Sequence, residues 1–285
     1  MTTYRALAHQ FTVTCNHAGL AEHIADVFSC LFAPADAGAH VSAYDLRIAP
    51  QDDHAHRLLI DGAPIVTSRR PDRPYAHLLH QINARAIADS GAGATLLHAS
   101  AALSPLGVLL LPAPMESGKS TLVTGLIRRG WEYVTDEIAA IGGDLDLRTY
   151  PRSVSLDPGS WHLFPDLRPD IHPSIVRYLP PQWQVHPERI GRIATGPLTV
   201  AGVVLPSYIP ASRTRLRGLD PVEALRDLLA CCFTFPEHTE RDLDVLADLV
   251  DRVPCFSLSS GDLASGCSVV MEAFGTSTVR TDTAS

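Results

Sequence analysis

Lysine is all but missing from this sequence: of 23 basic residues one is a lysine, Lys119, and the rest are arginine. A chain so committed to arginine keeps an ammonium only where a planar guanidinium is too large, as among phosphate oxygens in a tight loop. Other absences narrow the field. Apolar runs are short, Val108–Leu111 among the longest, against the roughly 20 residues a membrane helix needs. The opening Met1-Thr-Thr-Tyr-Arg5 has no basic segment followed by an apolar one, so no secretory signal is expected. No Arg/Lys block with interleaved aromatics occurs, and a net charge of −8 speaks against a nucleic-acid binder. The six cysteines form no CxxC pair and have no ligand spacing to histidine, which excludes a disulfide scaffold and structural zinc. They read as small buried side chains. The expectation is a soluble cytoplasmic protein with neither nucleic-acid nor membrane partner.

What is present reads as mixed α/β. Phe11–Cys15 alternates like a strand, and Leu20, Ile24, Val27, Phe28 and Leu31 recur at helical spacing. Val41–Ile48 and Leu58–Val66 read as strands, the second broken by the hairpin signal Asp61-Gly62. The proline- and charge-rich stretch Arg69–Pro74 marks a boundary. This gives an N-terminal α/β region over 1–72, a main domain over 73–275 and a flexible tail over 276–285. Within the main domain, Tyr75–Asp89 is a helix with Leu78, Leu79, Ile82 and Ala86 on one face. Thr95–Leu103 and Gly107–Leu111 are strands joined by a turn. Lys119–Arg129 is a helix closed by Gly130, and Tyr133–Gly142 is strand again. Residues 151–197, rich in proline and histidine, read as a lid, a substrate loop or a disordered stretch. Leu198–Leu205 is strand-like, Asp220-Pro221 opens a helix to about Cys232, Thr239–Val253 is a helix and Cys255–Leu258 a short strand.

The chemistry centres on Ala113-Pro-Met-Glu-Ser-Gly118-Lys119-Ser120-Thr121, a GK[ST] loop between a strand and a helix. Backbone N–H groups of such a loop and the helix N-terminus surround phosphate oxygens. Glu116, Ser117, Gly118, Lys119, Ser120 and Thr121 are the nucleotide-binding candidates. Lys119 neutralises phosphate charge, and the Ser120 hydroxyl can join a magnesium shell. The usual first glycine is Ala113 here, which requires a negative φ. Asp136-Glu137, on the strand after that helix, supplies carboxylates for Mg²⁺ and for the proton of an attacking hydroxyl. Adjacent strand residues point to opposite faces unless the backbone bends there. His98 lies on the strand before the P-loop strand; the other twelve histidines, His54 and His56 among them, read as surface residues.

The run His98…Gly107-Val-Leu-Leu-Leu-Pro-Ala-Pro-Met-Glu-Ser-Gly-Lys-Ser-Thr…Arg129-Gly130…Asp136-Glu137 resembles the catalytic core of bacterial HPr kinase/phosphorylase. Shared features are a histidine 21 residues before the P-loop lysine, an Arg-Gly at the helix end and an acidic pair 17 residues after the lysine. The resemblance implies the phosphoenolpyruvate-carboxykinase-like P-loop fold, with a mixed, largely antiparallel sheet. It also implies an ATP- and Mg²⁺-dependent kinase with His98, Asp136 and Glu137 as catalytic residues, and Ser120 and Asp136 as metal ligands. Glu stands where the family has a second Asp, so which acid is base and which is ligand stays open. Tyr150-Pro-Arg152 is similar to a Pro-Arg found after this core in stand-alone relatives, which makes Arg152 a candidate for balancing the transferring phosphoryl group. Neither the glycine-rich signature of phosphorolysis nor the family's own N-terminal domain is recognisable. The chain therefore resembles single-purpose relatives such as lasso-precursor kinases, which phosphorylate a serine of a peptide. The expected acceptor is a serine hydroxyl of a peptide or small protein, and relatives of this kind tend to be homo-oligomers. Alternatives are a small-molecule kinase acting on a sugar, cyclitol or amino acid, a nucleotide-sensing module without transfer activity, and a plain NTPase.

Overall fold

A computed structural model describes residues 2–50, 55–91, 93–235 and 237–275. The chain is mixed α/β and divides into two compact units: residues 1–94 with 149–190, and residues 95–148 with 191–285. The expected division at 72/73 thus falls elsewhere. The helix beyond it stays with the first unit because its apolar stripe lies on that unit's sheet. The expected tail, 276–285, lies outside the described residues.

The first unit opens with β1 (Tyr4–Ala6), β2 (His9–Cys15), α1 (Ala18–Val27), β3 (Val41–Arg47), β4 (His56–Ile60), β5 (Ala63–Ser68) and α2 (Arg73–Ser90). The second contributes β6 (Thr95–Ser104), β7 (Gly107–Pro112), α3 (Lys119–Ile127), β8 (Glu132–Thr135), β9 (Ile138–Ile141) and β10 (Leu147–Arg148). The chain then returns to the first unit for β11 (Val154–Leu156), β12 (Trp183–Val185) and α4 (Pro187–Ile190). It ends in the second with β13 (Val200–Tyr208), β14 (Arg215–Gly218), α5 (Pro221–Leu229), α6 (Thr239–Arg252), β15 (Cys255–Ser260) and α7 (Leu263–Phe274).

In the first unit the sheet order is β1-β2-β3-β4-β5. Only β2 and β3 run parallel, across the α1 crossover. Asp61 (φ 51°) and Gly62 (φ 81°) form the β4–β5 turn, the double positive φ that a two-residue hairpin requires. Tyr75, Leu78, Ile82 and Ala86 form the buried stripe of α2, while Leu79 is only half-buried. Residues 149–190 are a folded part of this unit. Leu156, Phe164, Leu167, Ile175 and Val185 are buried, and β11 pairs with β12. His56 is buried rather than exposed: its Nδ1 accepts from Ala49 N–H at 3.1 Å. His9 is buried too, between Asp89 and the Tyr44 hydroxyl. His54 lies outside the described residues.

The second unit has the strand order β10-β9-β6-β7-β13-β15-β14, with β8 also on β6. It is a mixed sheet: β13 runs parallel to both β7 and β15, and the other pairings are antiparallel. Alternation along β6 sorts its side chains. Leu97, Ala99 and Ala101 join a core with Val108 and Leu110 of β7, Leu228 of α5, and Leu246 and Leu249 of α6. His98 and Ser100 therefore share the other face, against which α3 packs. Close approach of α7 to α3 depends on Gly125, where a Cβ would meet Cys267 Sγ and Leu263 Cδ1 at 2.8 Å. No helix of the described residues is long and apolar enough to cross a membrane.

Candidate active site around the phosphate loop

Strand β7 is buried throughout its Val108–Leu111 run, as a central strand covered on both faces must be. The chain leaves it at Pro112 and re-enters helical geometry at Lys119. Gly118 caps α3 with φ 89°, a left-handed conformation that favours glycine. Glu116 adopts φ 62° in the same loop, whereas Ala113 is not among the positive-φ residues, as its Cβ demands. Lys119 folds back over the loop and donates from Nζ to the Pro114 carbonyl at 3.1 Å; the side chain is buried. Ser117 Oγ is buried in the loop and has no hydrogen-bond partner among the described residues. Ser120 and Thr121 are half-buried in the first turn of α3.

The acidic pair lies between β8 and β9, where the backbone bends while both strands stay antiparallel to β6. Ala99 N–H still reaches the Glu137 carbonyl at 3.2 Å, so register is kept through the bend. Asp136 is buried, and Ser100, its neighbour on β6, donates to Asp136 Oδ1 at 2.8 Å. Glu137 is about 30% exposed and places Oε1 3.8 Å from His98 Nε2. Both carboxylates act on Lys119. Desolvation lowers its pKa, and the charges of Asp136 and Glu137 oppose that shift. His98 is held below the ordinary histidine value, first by burial and next by the Lys119 charge, with Glu137 pulling the other way. Burial and the Lys119 charge thus favour the uncharged imidazole, which can accept a proton.

Beside His98 the α5–α6 connection doubles back along β6. His98 N–H donates to the Cys231 carbonyl and Phe233 N–H to the Leu96 carbonyl, each at 2.8 Å. This pairing ends α5 at Leu229, short of the expected Cys232, and brings the Phe233 ring to 5.5 Å from the imidazole. Asp242, fully buried on α6, accepts from Thr95 Oγ1 at 2.8 Å and Arg241 Nη2 at 2.7 Å, tying α6 to the start of β6.

The second unit thus brings together His98, Asp136, Glu137 and the loop residues Glu116, Ser117, Gly118, Lys119, Ser120 and Thr121. Arg152 belongs to the first unit, buried next to β11 with Nη2 3.2 Å from Ser155 Oγ. Its neighbour Tyr150 donates to Asn83 Oδ1 of α2 at 2.8 Å. Sequence reasoning missed Ser100 and Phe233. Ser100 was legible, since it stands two residues after His98 and so on the same strand face. Phe233 was not, because only the return of the chain along β6 brings it there.

Among the described residues no group of three or more His, Cys, Asp and Glu side chains is placed to hold a metal ion by itself. The Ser120 hydroxyl of the loop and the Asp136 carboxylate beyond β8 are oxygen donors of the hard type that could join phosphate oxygens and water around magnesium. No protein-family model matches the chain, and no curated protein matches it.

Proposed function

We propose that the chain is an ATP- and Mg²⁺-dependent kinase that transfers the γ-phosphoryl group to a hydroxyl, foremost a serine of a peptide or small protein. The observation that carries this reading is the His98 imidazole 3.8 Å from the Glu137 carboxylate, beside the lone lysine of a GKST loop. A nucleotide sensor needs the grip of Lys119 but no proton acceptor beside it. The antiparallel β6–β7 hairpin that delivers the loop also supports kinship with HPr kinase/phosphorylase and its phosphoenolpyruvate-carboxykinase-like fold, because most P-loop enzymes place this strand among parallel neighbours.

In this mechanism the loop N–H groups and Lys119 hold the β- and γ-phosphates, and the helix N-terminus adds its dipole. Asp136, fixed by Ser100, and Ser120 would hold magnesium, which supplies charge neutralisation to the phosphates. Glu137, more exposed and beside His98, takes the acceptor's proton as its oxygen bonds to the γ-phosphorus and the bond to the bridging oxygen breaks. His98 keeps Glu137 oriented and shares the proton. Of the two acids Glu137 is the one proposed as base, because the Asp136 carboxylate is buried and accepts from Ser100.

The test is incubation of the full chain with γ-labelled ATP, Mg²⁺, serine-bearing peptides and small hydroxyl compounds, beside Lys119→Ala and Glu137→Gln. Label on a peptide serine, abolished in Lys119→Ala and slowed about 10²–10⁴-fold in Glu137→Gln, is the expected result. Label on a small compound alone would move the assignment to a small-molecule kinase. Tight ATP binding with no transfer to any acceptor would overturn the kinase reading in favour of a sensor.

A further inference from the structure

Tyr208 closes β13, the strand that runs parallel to β7, so its end and the phosphate loop emerge at the same edge of the sheet. Ligands of open α/β sheets bind at that carboxyl edge. The backbone there is pinned from two sides. Tyr208 N–H donates to the Ser117 carbonyl of the loop at 3.1 Å, and Ile209 N–H donates to the Ser260 carbonyl of β15 at 3.0 Å. Contact with the loop is close: a Cβ on Gly118 would lie 3.3 Å from Tyr208 Cβ. Yet the side chains face solvent. Tyr208 is 57% exposed, Ile209 47%, and Met115, two residues before Ser117, 82%. A held backbone presenting a bare aromatic ring beside a phosphate cradle is a preorganised stacking surface.

We propose that Tyr208, flanked by Ile209, is the nucleobase subsite of this loop and takes the purine ring of the bound triphosphate. The inference rests on the nucleotide reading of the loop. A nucleotide's base is tied to its phosphates through a single ribose, so the surface that receives it must border the loop. Tyr208 does so through a direct backbone hydrogen bond. Stacking on an aromatic face accepts any base and is strongest for purines, so the surface supplies affinity and leaves the choice between adenine and guanine to other groups.

The test is calorimetric titration of the full chain with MgATP and, separately, with magnesium tripolyphosphate, which has phosphates and no base. Wild type, Tyr208→Ala, Tyr208→Phe and Lys119→Ala are compared, each checked for native circular dichroism. Tyr208→Ala should weaken MgATP by roughly 5- to 100-fold and leave tripolyphosphate unchanged. Tyr208→Phe should keep wild-type affinity for both, and Lys119→Ala should weaken both. MgATP affinity unchanged in Tyr208→Ala would overturn the subsite while the loop assignment stands. Equal weakening of both ligands would also overturn it, by making Tyr208 a prop of the loop. Failure of the wild-type chain to bind either ligand would remove the loop reading itself, and the subsite with it.

Discussion

Replacing Ser100 by alanine isolates one support of the acidic pair without touching the phosphate loop. Ser100 is fully buried, and its hydroxyl lies 2.8 Å from the buried Asp136 carboxylate. A hydrogen bond to a charged group contributes about 1.5–3 kcal/mol, and a buried acceptor left short of its donor has no bulk water to replace it. Ser100→Ala should therefore destabilise the chain by about 2 kcal/mol in urea titration. At about 2–4 °C per kcal/mol for a domain of this size, the melting point falls by roughly 4–8 °C. A double-mutant cycle separates this bond from packing. In an Asp136→Asn background the same substitution should cost less, because the acceptor is no longer charged, leaving a coupling energy of about 1–2 kcal/mol. On the proposed kinase reading, turnover should fall more than ATP affinity, since Asp136 would serve the transition state while the loop kept its grip on the phosphates. Equal losses in both backgrounds, or a loss under about 0.5 kcal/mol in the wild type, would refute the claim that Ser100 fixes Asp136.

Four further outcomes follow from the structure. In histidine NMR titrations His98 should lose its proton below the ordinary value; Lys119→Ala should move the midpoint up and Glu137→Gln down, and shifts of the opposite sign would contradict the site's electrostatics. Because the folded chain holds the His98 proton less tightly than the unfolded one, this residue favours unfolding progressively as pH falls below about 6.5, seen as a lower urea midpoint that His98→Gln should lessen. Gly202→Ala should destabilise by about 1–3 kcal/mol in urea titration, since a Cβ there would collide with the Phe274 ring at Cε1; a neutral result would mean that α7 shifts freely. Glu116→Gly should raise stability by up to about 1 kcal/mol in the same assay, because φ 62° strains a residue with a Cβ; a loss of stability would show that the Glu116 side chain holds the loop.

Local patterns carried much of the molecule. The helices α2, α3, α5 and α6 and the hairpin at Asp61-Gly62 stand where periodicity and turn residues put them, because those signals are chemical and short-ranged. The helix α7 went unread, although Asp262 accepting from Ser265 N–H at 2.8 Å and the buried Cys267, Val270 and Phe274 are ordinary helix signatures. Residues 149–190 lack any repeat because they hold together by contacts distant in sequence. Ser153 Oγ, for example, donates to the Val27 carbonyl of α1 at 2.8 Å.

By itself the sequence placed its lone lysine in a GKST run between strand and helix, and the resemblance to HPr kinase/phosphorylase singled out His98, Asp136 and Glu137. Only the tertiary structure decided what surrounds them. Strand register put Ser100 on Asp136, the chain around the bend at 136–137 keeps both adjacent carboxylates within electrostatic reach of one lysine, and the parallel β7–β13 pairing carried Tyr208 to the loop. It also sorted Arg152 into the other unit. The reason is physical: spacing along a chain fixes which residues share a strand face or a helix turn, whereas pairing between strands far apart in sequence is settled by burial of the whole core, to which no local segment has access.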